Sequence, residues 1–270
     1  MWRRLLIYCF IMLPQAIRAV QINYIKVPSA VQNDSEHSII LECNYSLRPD
    51  DAGLVVKWFL NDAVVYQWIP PKEPQALGVM KGKLNLDYVS SNDPKMMYRS
   101  MNIINPTTEL AGEYKCTVST FTDEDFSLKN MIVFVPETSL ELSHSGFSNK
   151  QINFTCTASE VYPEPKLIIF KDVKDEYHDR KYLDAVEWST SRLPSGRFSL
   201  TTTTSVLLDT ISPGSLVHCD LKIPGTGYVK RKTMLYYPIN MDNGRDSTIT
   251  QQKNRLWKIC VFCLAISLLN

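Results

Sequence analysis

Four residues constrain this chain more than any others: Cys43, Trp58, Tyr114 and Cys116. Trp58 stands at the offset from Cys43 where a strand-borne tryptophan packs on an inter-sheet disulfide. Tyr114 stands two residues before Cys116, where its hydroxyl can close a corner of a two-sheet β-sandwich. The sequence around them alternates apolar and polar residues in short runs. "VVKWFLNDAVVYQW", residues 55–68, reads as two strands joined by a tight turn at Asn61-Asp62, residue types that accept a left-handed backbone.

The same punctuation fills most of the chain. Strand candidates fall at residues 38–45, 54–60, 64–69, 96–104, 112–119 and 128–135; after "VPETS" they resume at 151–158, 166–171, 197–208, 215–223 and 228–236. No long helical periodicity interrupts them. The expected fold is all-β, two tandem immunoglobulin-like β-sandwiches. The first, 20–136, is variable-type, because residues 64–104 leave room for extra edge strands. The second, 137–238, is a divergent constant-type unit. Its "CTASEVYPEPKLIIF" places Phe170 at the offset of the core tryptophan, and Val217 stands where the corner tyrosine is expected.

The two ends read as addresses. Residues 1–19, with Arg3 and Arg4 before an apolar run and Ala19 at the end, fit a secretion signal. At the other end, residues 256–269 are mostly apolar, with Lys258 among them, and shorter than the ~20 residues that cross a bilayer. A small-residue site at Asp242 and Asn243, a polar spacer from Arg245 to Arg255 and this tail match a glycolipid-anchor signal, so 239–270 is expected to be processed for lipid attachment. Of seven cysteines, Cys9, Cys260 and Cys263 would leave with these ends. The remaining four allow three pairings. Their order and spacing favour Cys43 with Cys116 and Cys156 with Cys219, as in an oxidising compartment. The expected location is the outer face of the plasma membrane, with secretion as the alternative.

Balanced charge, 29 basic against 28 acidic residues, offers no basic excess for a nucleic-acid backbone. His37, His144, His178 and His218 show no nucleophile or metal-ligand spacing, so neither an enzyme, a metal nor a cofactor is expected. Three sequons, at Asn33, Asn44 and Asn153, are glycosylation candidates. Parity places Asn44 and Asn153 opposite the inward Cys43 and Cys156, hence toward solvent. The same parity turns Lys57 and Phe59 outward beside Trp58, and Lys115 and Thr117 outward beside Cys116. With Phe121, Asp123 and Glu124 of the following turn, these form the expected partner-binding face. Tyr66 and Trp68 share one side of their strand, either in the core or, after a bulge, on that face.

With those residues in hand, the chain resembles the insect beaten path group of two-domain immunoglobulin cell-surface proteins. The resemblance lies in "VPSAVQ", "LECNYSL", "VKWF", "VYQWIPPKEP" and "GEYKCTVS", over residues 21–136 and more loosely over 137–238. It implies a recognition or adhesion protein, in axon guidance or synaptic partner choice, whose partner is an immunoglobulin-superfamily protein of the sidestep type. A secreted soluble ligand or decoy is the alternative. Gln67 stands where that family has an arginine.

Overall fold

The computed structural model describes residues 20–148, 150–172 and 180–238. The expected secretion signal, the anchor signal with Asp242 and Asn243, and His178 lie outside the described residues.

The first sandwich is built from β1 (Val20–Lys26), β2 (Ala30–Gln32), β3 (Ile39–Leu47), β4 (Val55–Leu60), β5 (Ala63–Trp68), β6 (Gln75–Ala76), β7 (Ser100–Ile103), β8 (Gly112–Ser119) and β9 (Glu124–Phe134). One sheet has the order β1-β3-β7 and the other β2-β9-β8-β4-β5-β6. Strict alternation explains the burial: Leu41, Cys43 and Tyr45 on β3, Val56, Trp58 and Leu60 on β4, and Tyr114, Cys116 and Val118 on β8 all point inward. Cys43 and Cys116 are bonded across the two sheets with Cα atoms 6.4 Å apart. Trp58 lies directly opposite Cys116 in the β4–β8 register, so its ring covers the bridge. The Tyr114 hydroxyl donates to the Leu110 carbonyl at 2.7 Å in a buried setting, and burial holds that hydroxyl well above its ordinary pKa.

Asn61 and Asp62 both adopt positive φ, 47° and 66°, giving the two-residue hairpin whose twist matches its strands. A bulge then shifts the β4–β5 register between Trp58 and Phe59. It lets Val65, Tyr66 and Trp68 all enter the core and leaves Gln67 half-buried on the outside. The expected strand over 96–104 shortens to Ser100–Ile103. The reason is a turn over residues 94–98, where buried aromatics take the backbone carbonyls: Tyr45 donates to that of Lys95, Tyr66 to that of Tyr98 and the Trp58 indole to that of Arg99, at 2.6, 2.8 and 3.4 Å.

The second sandwich contains β10 (Ser139–Ser148), β11 (Gln151–Val161), β12 (Lys166–Asp172), β13 (Arg180–Leu183), β14 (Glu187–Arg192), β15 (Phe198–Leu207), β16 (Ser215–Lys222) and β17 (Val229–Tyr236). Its sheets run β10-β11-β15-β14 and β13-β12-β16-β17. The first of these is the four-stranded sheet of a constant-type unit, and β13 adds a strand to the other. Cys156 and Cys219 are bonded. The core differs from expectation. Ile169, not Phe170, lies opposite Cys219, and Phe170 lies opposite His218 on the outer face. The aromatic filling comes instead from Phe154 and Tyr236, edge to face at 5.7 Å.

A paired stretch of backbone joins the sandwiches. Val135 and Tyr162 exchange hydrogen bonds at 2.7 and 3.0 Å. Phe134 packs on Tyr228 with ring centroids 5.4 Å apart, and the Tyr228 hydroxyl donates to Glu137. Burial, then that carboxylate, pushes the Tyr228 hydroxyl up to about 12.

Tyr114→Phe is expected to cost ~1–3 kcal/mol, because it leaves the Leu110 carbonyl buried without its donor. Urea unfolding followed by tryptophan fluorescence reads this as a lowered midpoint with unchanged slope.

Candidate functional site

Outward parity brings the expected residues of the first sandwich onto one sheet surface. Along one row, Phe126 of β9 lies beside Thr117 of β8, Lys57 of β4 and Gln67 of β5. Along the next, Leu128 lies beside Lys115 and Phe59. Lys57, Phe59, Lys115 and Thr117 are therefore adjacent. Phe59 is half-buried rather than exposed. The Lys115 ammonium sits 4.8 Å from its ring centroid and 3.5 Å from an Asp62 carboxylate oxygen, so a cation covers the aromatic.

On the strands themselves the exposed aromatic is Phe126, 58% accessible, with Leu128 next to it, while Phe121 is exposed at the tip. Sequence reasoning missed both as site residues because it began the strand at Leu128 and treated Phe121 to Phe126 as turn. The available signal was the every-second-residue pattern Glu124, Phe126, Leu128. The turn itself is short. Thr120 and Asp123 close it, with the Thr120 amide donating to the Asp123 carbonyl at 2.9 Å and the Glu124 amide donating to the Asp123 side chain. Glu124 is exposed at the head of β9. Asp125 points the other way and accepts the Ile22 amide at 2.8 Å, holding β1 to the edge of β9. Phe121 stands at the tip and lies across Gly53. Any side chain at that glycine would collide with the Phe121 ring, and its φ of +72° favours glycine as well.

The sequons lie elsewhere. Asn44 is half-buried on β3 in the opposite sheet, where its carbonyl accepts from Asn23 at 2.8 Å. Asn33 follows β2 and accepts the Thr108 amide at 3.1 Å. Asn153 is exposed on β11.

The second sandwich carries a different outer face. Phe170 is buried there beneath polar groups: His218 stacks on it at 4.9 Å, and the Arg180 and Arg231 guanidinium carbons lie 5.2 and 4.9 Å from its centroid. His218 hydrogen-bonds Thr233 and Asp172 at 2.9 and 3.0 Å. This chain ties β12, β16 and β17 together on an open sheet surface. Arg231 grips Asp220 with two bonds, 2.6 and 2.8 Å, and holds its carboxyl below the usual carboxylate range. Among the described residues no group of three or more His, Cys, Asp or Glu side chains is placed to hold a metal ion, and no helix is long and apolar enough to cross a membrane.

No family model matches the chain, and no curated protein matches it. Solved structures do. Bovine butyrophilin is similar at 16% identity and a TM-score of 0.59, over 78% of this chain and 96% of that one. The extracellular portion of mouse CD200RLa is similar at 13% identity and a TM-score of 0.46, over 77% of this chain and 99% of that one. At such identities the likeness to butyrophilin is one of fold: tandem immunoglobulin-like sandwiches.

The lowered carboxyl of Asp220 has a pH consequence. Its stabilising effect is complete above the unfolded value of about 3.9 and is lost as pH falls through the lower folded value. Asp220→Asn is expected to reduce stability at neutral pH and to flatten the acid limb of the second sandwich's stability curve, measured as urea midpoints between neutrality and acid.

Proposed function

We propose that this protein is a recognition protein of the cell exterior that binds another immunoglobulin-superfamily protein through the outer face of β4, β5, β8 and β9. The observation that carries this reading is the juxtaposition of Phe126, Leu128 and Phe59 with Lys57 and Lys115 on one sheet surface. Apolar anchors within a polar, charged rim are what a protein-binding patch needs: the anchors lose water on contact, and the charges orient the approach. Phe121, Asp123 and Glu124 extend the patch at its tip, and Thr117 supplies a hydroxyl at its centre. Two bonded cystines are consistent with an oxidising location.

The finer reading follows the resemblance to the beaten path group: a sidestep-type partner, and a role in axon guidance or synaptic partner recognition. Glycans at Asn33, Asn44 and Asn153 and a lipid anchor near Asp242 and Asn243 complete it. A released ligand or decoy is the second reading. Phosphatidylinositol-specific phospholipase C distinguishes them. The anchored form leaves expressing cells on treatment; retention on the cell surface with the tail intact defeats the anchor.

The binding face is tested by screening the ectodomain against secreted immunoglobulin proteins and carrying variants through the pair found. Phe126→Ala is expected to cost at least ~2 kcal/mol of binding. Lys57→Glu is expected to slow association and change its salt dependence more than it changes dissociation. A folded double variant that binds as the parent does would move the site off this face.

A further inference from the structure

The sheet β10-β11-β15-β14 ends on β14, which among the described residues pairs only with β15. Every residue from Glu187 to Arg192 is exposed. Between Trp188 and Ser191 the strand has no proline, no charge and no register shift; the charges that could blunt this edge, Glu187 and Arg192, stand only at its two ends. Its hairpin to β15 closes through the Leu193 amide, which donates to the Arg197 carbonyl at 2.8 Å. Alternation along the antiparallel ladder then assigns the amides and carbonyls of Ser189 and Ser191 to β15, and those of Trp188, Thr190 and Arg192 to the open edge.

Trp188 is the second oddity. It lies opposite Thr202, which lies opposite Cys156, so its side chain is on the inner face of the sheet. Yet it is 74% accessible. In the facing sheet, edge strand β13 stops at Leu183, and Trp188 borders an open cleft of about 400 Å³ lined by Lys166, Leu167, Ile168, Leu200 and Thr202. An inward tryptophan beside an unpaired backbone edge is half of an interface.

We infer that β14 is a homotypic docking edge, and that two copies of this chain pair antiparallel along it with Thr190 on the two-fold axis. Symmetry and face parity restrict the choices. A two-fold perpendicular to the sheet requires inner-face residues to oppose inner-face residues. Centring on Thr190 uses all three outward-pointing residues at once: Thr190 meets Thr190 of the second copy, and Trp188 meets Arg192 of the second copy, twice. Each guanidinium is then set against an indole, the best aromatic partner for a cation. Arg192 already leans toward an aromatic, 5.9 Å from the Phe198 centroid. Sliding the pairing by two residues toward Ser189 sets Trp188 against Thr190 and Arg192 against Val186, which forfeits both cation contacts. This self-complementarity is what selects a second copy over an unrelated strand.

Thr190→Cys provides the test. Opposed residues that exchange backbone bonds have Cα atoms ~5.5 Å apart, within disulfide reach. In cells expressing the full chain, Thr190→Cys is expected to give a covalent homodimer on non-reducing gels, while Ser195→Cys, equally exposed in the adjoining turn, does not. Thr190→Pro removes only an outward amide and spares the β15 ladder. In sedimentation of the purified protein it should weaken self-association at least ~10-fold with the melting temperature unchanged. Cross-linking of Thr190→Cys no greater than that of Ser195→Cys overturns the pairing, as does a cross-linked species containing a different protein. If Thr190→Pro lowers the melting temperature, the cysteine comparison decides alone.

Discussion

The Cys43–Cys116 bridge, with Trp58 laid against it, decides which way each central side chain of the first sandwich faces. It links β3 of one sheet to β8 of the other, and a native bridge of this kind is worth ~2–5 kcal/mol to a small extracellular domain. Its geometric effect is as important as its energy. Once Cys116 and Trp58 are inward, the two-residue period of a strand leaves Lys57, Phe59, Lys115 and Thr117 no other side to occupy. The bulge after Trp58 then admits Val65, Tyr66 and Trp68 to the core without moving Gln67 inward. The candidate binding surface is thus the reverse side of the core pattern, and a one-residue slip in β4 or β8 would bury its lysines and expose its cystine.

The second sandwich keeps the bridge and loses both of its aromatic supports. With Ile169 beside Cys219 and Val217 at the place of a corner tyrosine, the volume near the cystine is filled by Phe154 and Tyr236. Phe170 is displaced to the outside, where a bare ring would cost free energy. Arg180 and Arg231 lie over it and His218 stacks on it, so the polar lid of this face is a way of burying an aromatic on the wrong side of a sheet. Asp220 and Asp172 then hold Arg231 and His218 in place.

Much of this could be read from the sequence where burial alternates. β8 spans the expected residues 112–119, and both cystine pairings follow from order and spacing. What could not be read has physical causes. β14 is exposed throughout, so it has no apolar face to announce it. β13 is a four-residue strand with one half-buried position. Met96, Met97 and Tyr98 look like a strand because they are apolar, but side-chain donors from three other strands take the carbonyls of Lys95, Tyr98 and Arg99, and the Ser90 hydroxyl donates to that of Met97, so the segment runs as turns. The offset from Cys156 points to Phe170 as the core residue, whereas the register places Ile169 there; offset alone cannot separate adjacent residues that are both apolar. Phe126 went unrecognised because the acidic residues before it look like loop, whereas Asp125 is spent on the Ile22 amide and the strand starts at Glu124.

The two surfaces differ in strand, sheet and sandwich, and this bears on how a chain with modest patches could bind firmly. Phe126, Leu128 and the covered ring of Phe59 offer limited apolar area, and the lysines around them must be partly desolvated on contact, a cost that offsets part of what the proposed face gains on binding. The proposed pairing along β14 would leave β4, β8 and β9 untouched and present two such faces from one assembly. The backbone exchange between Val135 and Tyr162 and the packing of Phe134 on Tyr228 hold each face in a defined position relative to its own β14. Against a partner displayed at matching spacing, the second contact becomes intramolecular, and avidity rises by ~10²–10⁴ with no new interaction at either patch. In that proposed arrangement isolated encounters would dissociate and only apposed arrays would persist.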